Sequence, residues 1–445
     1  MTPAAGLALE QAPPFSVPLR FFLTAPWFLV LAGLLVLWRG SEIFASRWVP
    51  ATLALTHLLT VGFMAQVMLG ALLQMLPVVV GVVVPRPRLI AALVHAPLTL
   101  GALVLTAAFL MSSPVGFQIA FGLLGVAFGV ALVTMLSALW RAPVTSATVI
   151  AMRCALFALL VTVGLGLLLA GFFGWGWQLV VVKVTNGHAV WGLVGWVLLL
   201  VAGVAYQVVP MFQITPPYPA RFVRGFAPLL ALLLLVWSAL LAAGWTVGAA
   251  VAGAALALGS ASFAVMTLRL LSQRRRKIGD PTLVYWRASM SCLLMGALLG
   301  LATVLIPALA LAPQVDLLLG ILLIFGFAVG AINGMLYKIA PFLAWFHLQA
   351  QLFQRTKIPN MKLLLPDAAI RRQWWAYLVS LLLLLAAALA PIGFSAGAAL
   401  ALSVMGGWLG LNLAGVWLRY RRVLQAGLAV TPKPTPVCLI QDHLL

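Results

Sequence analysis

A chain of 445 residues that is 64% hydrophobic and only 7% charged, with a mean hydropathy of +1.17, carries more apolar surface than a water-soluble core can absorb. Its formal net charge of +20 comes from 26 basic and 6 acidic residues, but the basic ones sit in short loops between apolar runs, which points to membrane orientation and away from nucleic acid. Cys154, Cys292 and Cys438 have no paired spacing, so neither a disulfide framework nor a CxxC site is expected.

Met1 to Pro18 has no basic n-region and no small-residue cleavage signal, so residues 1-20 are expected to form a cytoplasmic tail. A helix rises about 1.5 Å per residue and bilayer hydrocarbon is about 30 Å thick, so an apolar run of roughly 20 residues spans it. Twelve candidate runs follow. The first four are Phe21 to Trp38, Thr52 to Val84, Leu89 to Met111 and Val115 to Trp140. The next four are Val149 to Phe173, His188 to Phe212, Phe226 to Ala243 and Trp245 to Leu268. The last four are Ala288 to Leu311, Leu317 to Trp345, Trp375 to Ala390 and Phe394 to Trp417. The predicted fold is all-α integral membrane, one 12-helix domain over 21-417 embedded in the lipid bilayer, with a cytoplasmic tail over 418-445.

With the N-terminus inside, only Arg39, Arg47 and Lys183 of the 26 basic residues fall outside, and Lys338 lies within a span near its inner end. The positive-inside rule therefore predicts cytoplasmic termini and a bacterial inner (plasma) membrane location. The longest loop joins the tenth and eleventh spans and carries His347. Its Trp345, Phe346, Leu348, Leu352 and Phe353, mixed with Arg355 and Lys357, predict an interfacial helix, with a solvated loop as the alternative.

The second, sixth and tenth spans share one pattern: Gly-aromatic, Gly eight residues after the first Gly, a polar residue, then Pro. The copies are Gly62-Phe63, Gly70, Gln74, Pro77; Gly195-Trp196, Gly203, Gln207, Pro210; and Gly326-Phe327, Gly334, Lys338, Pro341. The prolines are 133 and 131 residues apart, which predicts three four-helix units over about 21-140, 149-268 and 288-417. Glycines at such spacing let helices approach closely in lipid, and a Pro near the inner end frees a carbonyl.

Three parallel four-helix units with cytoplasmic ends and motifs on spans two, six and ten resemble the subunit I fold of haem-copper oxidases and nitric oxide reductases. The sharpest local piece is Thr56-His57-Leu58-Leu59-Thr60-Val61-Gly62-Phe63, because that family places a haem-ligating His in the outer part of its second span, followed by a similar Gly-aromatic pair. The resemblance implies haem b, with His57 as its ligand, and subunits of a respiratory complex as partners. It departs from the family where the copper site needs His in span seven and where span ten supplies two axial His: Phe226 to Ala243 and Leu317 to Trp345 have none. Oxygen or nitric oxide reduction at a binuclear centre is therefore not expected.

His57 lies about six residues into its span, roughly 9 Å below the outer boundary, with Thr56 and Thr60 beside it. It suits either haem ligation or an interhelical hydrogen bond. His188 begins span six on the same side and is the candidate second ligand. Repeat alignment sets His57 opposite Val190, however, and two residues turn a helix by roughly 200°, so a regular helix points His188 elsewhere unless Asn186-Gly187 makes its start irregular. His95, His347 and His443 lack metal-ligand spacing. Lys338 is expected to snorkel to the inner surface, the alternative being a polar cavity shared with Gln74 and Gln207. Asp316 is expected to serve as a helix N-terminal carboxylate. Three classes of function stay open: a haem-binding protein of degenerate subunit I type, a partner of a respiratory complex, and a small-solute transporter or channel. The absence of a midplane carboxylate counts against a proton-driven transporter.

Overall fold

The computed structural model describes residues 11–275, 279–352 and 355–429. Among these residues there is no strand, and twelve helices are long and apolar enough to cross a membrane. They are span 1 (Ser16–Phe44), span 2 (Pro50–Val78), span 3 (Pro87–Met111), span 4 (Pro114–Trp140), span 5 (Ala147–Trp175) and span 6 (Val181–Gln213). Span 7 (Ala220–Ala242), span 8 (Thr246–Ser272), span 9 (Pro281–Leu305), span 10 (Pro313–Leu352), span 11 (Asp367–Leu389) and span 12 (Pro391–Leu428) complete the set. The chain is thus an all-α polytopic membrane protein. Spans 2, 3, 4, 9, 10 and 12 begin on a proline, whose missing N–H is one of the orphan donors of a first helical turn anyway. Ser113, Ser146 and Asp280 cap spans 4, 5 and 9 by accepting from first-turn amides.

The helices close into a ring. Span 4 packs on span 5, span 8 on span 9, and span 12 returns to span 1, so the fourth helix of each group always meets the first helix of the next. Spans 2, 6 and 10 stand inside this ring, and the middle of span 10 touches the middle of both others. Within each group the same two glycines of the inner helix press on the first helix. An added Cβ on Gly62 or Gly70 would lie 2.3 Å from Phe28 or 2.7 Å from Phe21. On Gly195 or Gly203 it would lie 2.7 Å from Ala158 or 2.8 Å from Ala151, and on Gly326 or Gly334 it would lie 2.7 Å from Cys292 or from Tyr285. In lipid, where no hydrophobic force drives helices together, such close approach supplies the van der Waals contact that holds the units.

The glycines are eight residues apart, yet their partners on the neighbouring helix are seven apart. A π-helical stretch reconciles the two. Leu58–Ala65, Trp191–Leu198 and Ile321–Val329 each wind as π-helix around the first glycine of the pattern. A π turn carries one extra residue, so eight residues there cover the length and rotation of seven in a regular helix and return both glycines to one face.

Two expectations are corrected. Span 10 does not stop near Trp345: the helix runs on to Leu352, with Ala344, Leu348 and Leu352 buried, so Trp345, Phe346, Leu348 and Leu352 continue the same helix without a break. Pro341 sits inside it without ending it, because its neighbours are held by tertiary packing on both sides. Span 12 likewise continues as helix well past Trp417, to Leu428. Arg276, Lys277, Phe353, Lys433, Cys438 and His443 lie outside the described residues.

Candidate functional site

His57 and His188 come together. Their ring centroids are 6.3 Å apart and their planes differ by 22°. Each ring is tethered in the same way: His57 Nδ1 donates to the Leu53 carbonyl at 2.7 Å, and His188 Nδ1 donates to the Thr162 carbonyl of span 5 at 2.9 Å. A carbonyl can only accept, so both neutral rings carry their proton on Nδ1. Each therefore keeps a basic Nε2 lone pair with no hydrogen-bond partner among the described residues.

The rotational objection to His188 fails for a geometric reason. Units arranged in a ring meet heterologously, so the face that one helix turns to its neighbour is not the face the neighbour turns back. His57 looks from span 2 across span 3, where it stacks on Phe109 at 5.3 Å, while His188 looks from span 6 toward span 5. The two-residue offset, near 200° of helix, is what brings complementary faces together across the first and second units. Gly166 of span 5 makes room for the ring, since a Cβ there would lie 3.0 Å from His188 Cε1. The threonines flanking His57 are not its partners: Thr56 donates to the Thr52 carbonyl and Thr60 to the Thr56 carbonyl, the usual bond of a membrane threonine to its own preceding turn.

Aromatic side chains close the far side of this junction. Phe109 lies 5.0 Å from Phe117 and 6.0 Å from Phe173, which themselves stack at 4.8 Å. Nearby, Arg47 ties three units: it donates to Asn186 Oδ1 of span 6 at 2.9 Å and pairs with Asp316 of span 10 at 3.1 Å. Asp316 does occupy a helical first turn, as expected from its position, but its charge is met by Arg47 as well.

Lys338 reaches toward the loop just before span 9. Its Nζ lies 2.6 Å from Asp280 Oδ2, with side-chain exposures of 25% and 3%. The other oxygen of Asp280 accepts from the Thr282 amide and hydroxyl, and Thr282 Oγ1 in turn accepts from Gln213 at the end of span 6. Burial alone pushes the Asp280 carboxyl up, but Lys338 and Thr282 outweigh it and hold the carboxyl below its ordinary value. Gln74 is buried with Oε1 unpartnered among the described residues, while a carboxylate outside the repeat pattern engages the lysine.

Sequence reasoning also passed over a polar cluster inside the third unit. Tyr285 donates to Gln373 Oε1, and Asn333 donates to the same oxygen at 3.2 Å. Gln373 donates to the Met405 carbonyl at 3.4 Å, Tyr377 to the Gly326 carbonyl at 2.7 Å, and Asn412 to Tyr337 at 3.0 Å. The available signal was amide and phenol groups recurring within spans 9 to 12, since each is costly in hydrocarbon unless paired. His95 is similarly engaged, donating to Thr24 Oγ1 at 2.9 Å, and so is tied to span 1. No group of three or more His, Cys, Asp or Glu side chains converges as a metal site among the described residues. No protein-family model matches this chain, and no curated protein matches it significantly.

Proposed function

We propose that this chain is a haem b protein of the inner membrane, resembling subunit I of the haem-copper oxidases, in which His57 and His188 would hold one haem. The observation that carries the reading is the pairing of these imidazoles at 6.3 Å between centroids with planes 22° apart. Two neutral imidazoles this close would suit one shared metal centre. The donor set fits the same group. Two imidazoles cannot complete the shell of a bare ion, whereas a porphyrin supplies four nitrogens of its own. Both rings also have the Nδ1–H to carbonyl bond that orients a metal-binding histidine and raises its basicity.

When bound, the haem would supply one-electron transfer. The protein's part is to hold the two imidazoles in one tautomer, and to keep water away with the Phe109, Phe117 and Phe173 wall. Electrons must arrive from and leave to another redox protein, which makes a respiratory-complex partner part of the proposal. The basic loops support a reading with both termini in the cytoplasm: reporter fusions after Arg88 and Arg372 should report cytoplasm, and one near Lys183 the outside.

The test is a reduced-minus-oxidised spectrum of the purified, detergent-solubilised chain. A Soret band should be present, and it should vanish in His57→Ala and in His188→Ala but persist in His95→Ala. Wild-type protein expressed with ample haem, yet colourless and unresponsive to added hemin, overturns the reading in favour of a transporter.

A further inference from the structure

On the face of the basic loops, far along the chain from the histidine pair, a cavity of about 390 Å³ opens between the start of span 1 and the ends of spans 10 and 12. We propose that it binds a phosphate-bearing anion of headgroup size. Its polar lining consists largely of donors: the guanidinium groups of Arg88 and Arg421, the Ser16 hydroxyl and the Tyr420 phenol. No carboxylate lines it, and neither arginine has an ion-pair partner among the described residues. Tyr420 already accepts from Gln351 Nε2 at 3.0 Å, so its own O–H is available to donate. Ser16 opens a 24-residue helix at whose N-terminus the dipole favours negative charge, with the Val17 and Leu19 amides already bonded to the Pro14 and Phe15 carbonyls.

A buried histidine borders the same cavity: His347 is 8% exposed, and its Nε2 is closed off from water. The ring is not free to turn away, because Phe15 stacks on it at 5.5 Å and Phe346 packs against its edge at 5.3 Å. Arg421 is steered by Trp417, with its guanidinium carbon 5.8 Å from the ring centre. The volume lies in the range of small-molecule sites and is generous for an inorganic ion, while two guanidinium forks suit the paired oxygens of a phosphate ester. That chemistry is shared by an anionic phospholipid headgroup and by a soluble phosphate ester.

The full-length protein in detergent is titrated with glycerol 3-phosphate while its thermal unfolding is followed, with sodium chloride at matched ionic strength as control. In parallel it is reconstituted with phosphatidylcholine alone or with added phosphatidylglycerol, and bound lipid is counted by native mass spectrometry. The proposal expects one anion per chain, and affinity reduced roughly tenfold or more in Arg88→Gln/Arg421→Gln. Arg88→Lys/Arg421→Lys should retain part of it. Both arginines are exposed, so the Gln pair should fold, with a monodisperse elution profile as the check. Retained phosphatidylglycerol indifferent to glycerol 3-phosphate assigns a lipid headgroup; a glycerol 3-phosphate shift without retained lipid assigns a soluble ester. Wild type and the Gln pair behaving alike with both probes overturns the proposal.

Discussion

The junction of the first two units and the interior of the third unit both bury polar side chains in a membrane, but they do so differently. In the third unit, Tyr285, Asn333, Gln373, Tyr377 and Asn412 spend their donors on one another or on backbone carbonyls. Such a network specifies which helices meet. At the junction, His57 and His188 each satisfy one nitrogen and leave the other as a lone pair on neighbouring rings. In the third unit only Asn333 Oδ1 of these five side chains is left without a partner among the described residues, whereas at the junction the same atom is left over on both rings, which is what the proposed haem site rests on.

The largest expected effect separates the regions outright. His57→Ala should remove the whole Soret band while leaving the protein folded. Gln373→Leu should keep the band and cost about 3 kcal/mol, because it leaves Tyr285 and Asn333 buried without their acceptor. Loss of the band in Gln373→Leu at full folding would erase the distinction. Gly330→Ala tests the packing beneath the cluster. Its Cβ would sit 2.3 Å from the Tyr377 oxygen and 2.6 Å from Ser289 Oγ, so denaturation in mild detergent should show a loss of about 3 kcal/mol.

Next comes the pair at the edge of the third unit. Lys338→Met strands Asp280, whose carboxylate is 3% exposed, and should cost about 2 kcal/mol; Asp280→Asn added to it should recover part of that. Because the folded state holds this carboxyl below its ordinary value of 3.8, the pair's contribution is full above that value and lost as pH falls through the lower folded one. The gap between wild type and Lys338→Met should therefore be flat near neutrality and close only in strong acid. The smallest effect is expected from Arg47→Ala, about 1 kcal/mol by differential unfolding, since the pair with Asp316 is about one-third exposed on each side. A sharper loss would mean that the clasp on Asn186 also holds His188 in place.

Composition and periodicity alone specified twelve apolar helices, because a bilayer accepts little else across its hydrocarbon. The glycine pattern marked spans 2, 6 and 10 as equivalent inner helices from the repeat itself. Its eight-residue spacing made no sense on a regular helix, where eight residues drift about 80° off one face, and only the π turns at Leu58–Ala65, Trp191–Leu198 and Ile321–Val329 resolved it. Asp280 and Gln373 gave no signal because their partners are distant in sequence and keep no fixed spacing. The histidine pair was visible as two candidate residues, but not as a pair. Sequence alignment compares equivalent faces of repeated helices, whereas a closed ring joins inequivalent ones, so the meeting of His57 with His188 was decided by the packing of the units and by nothing local to either helix.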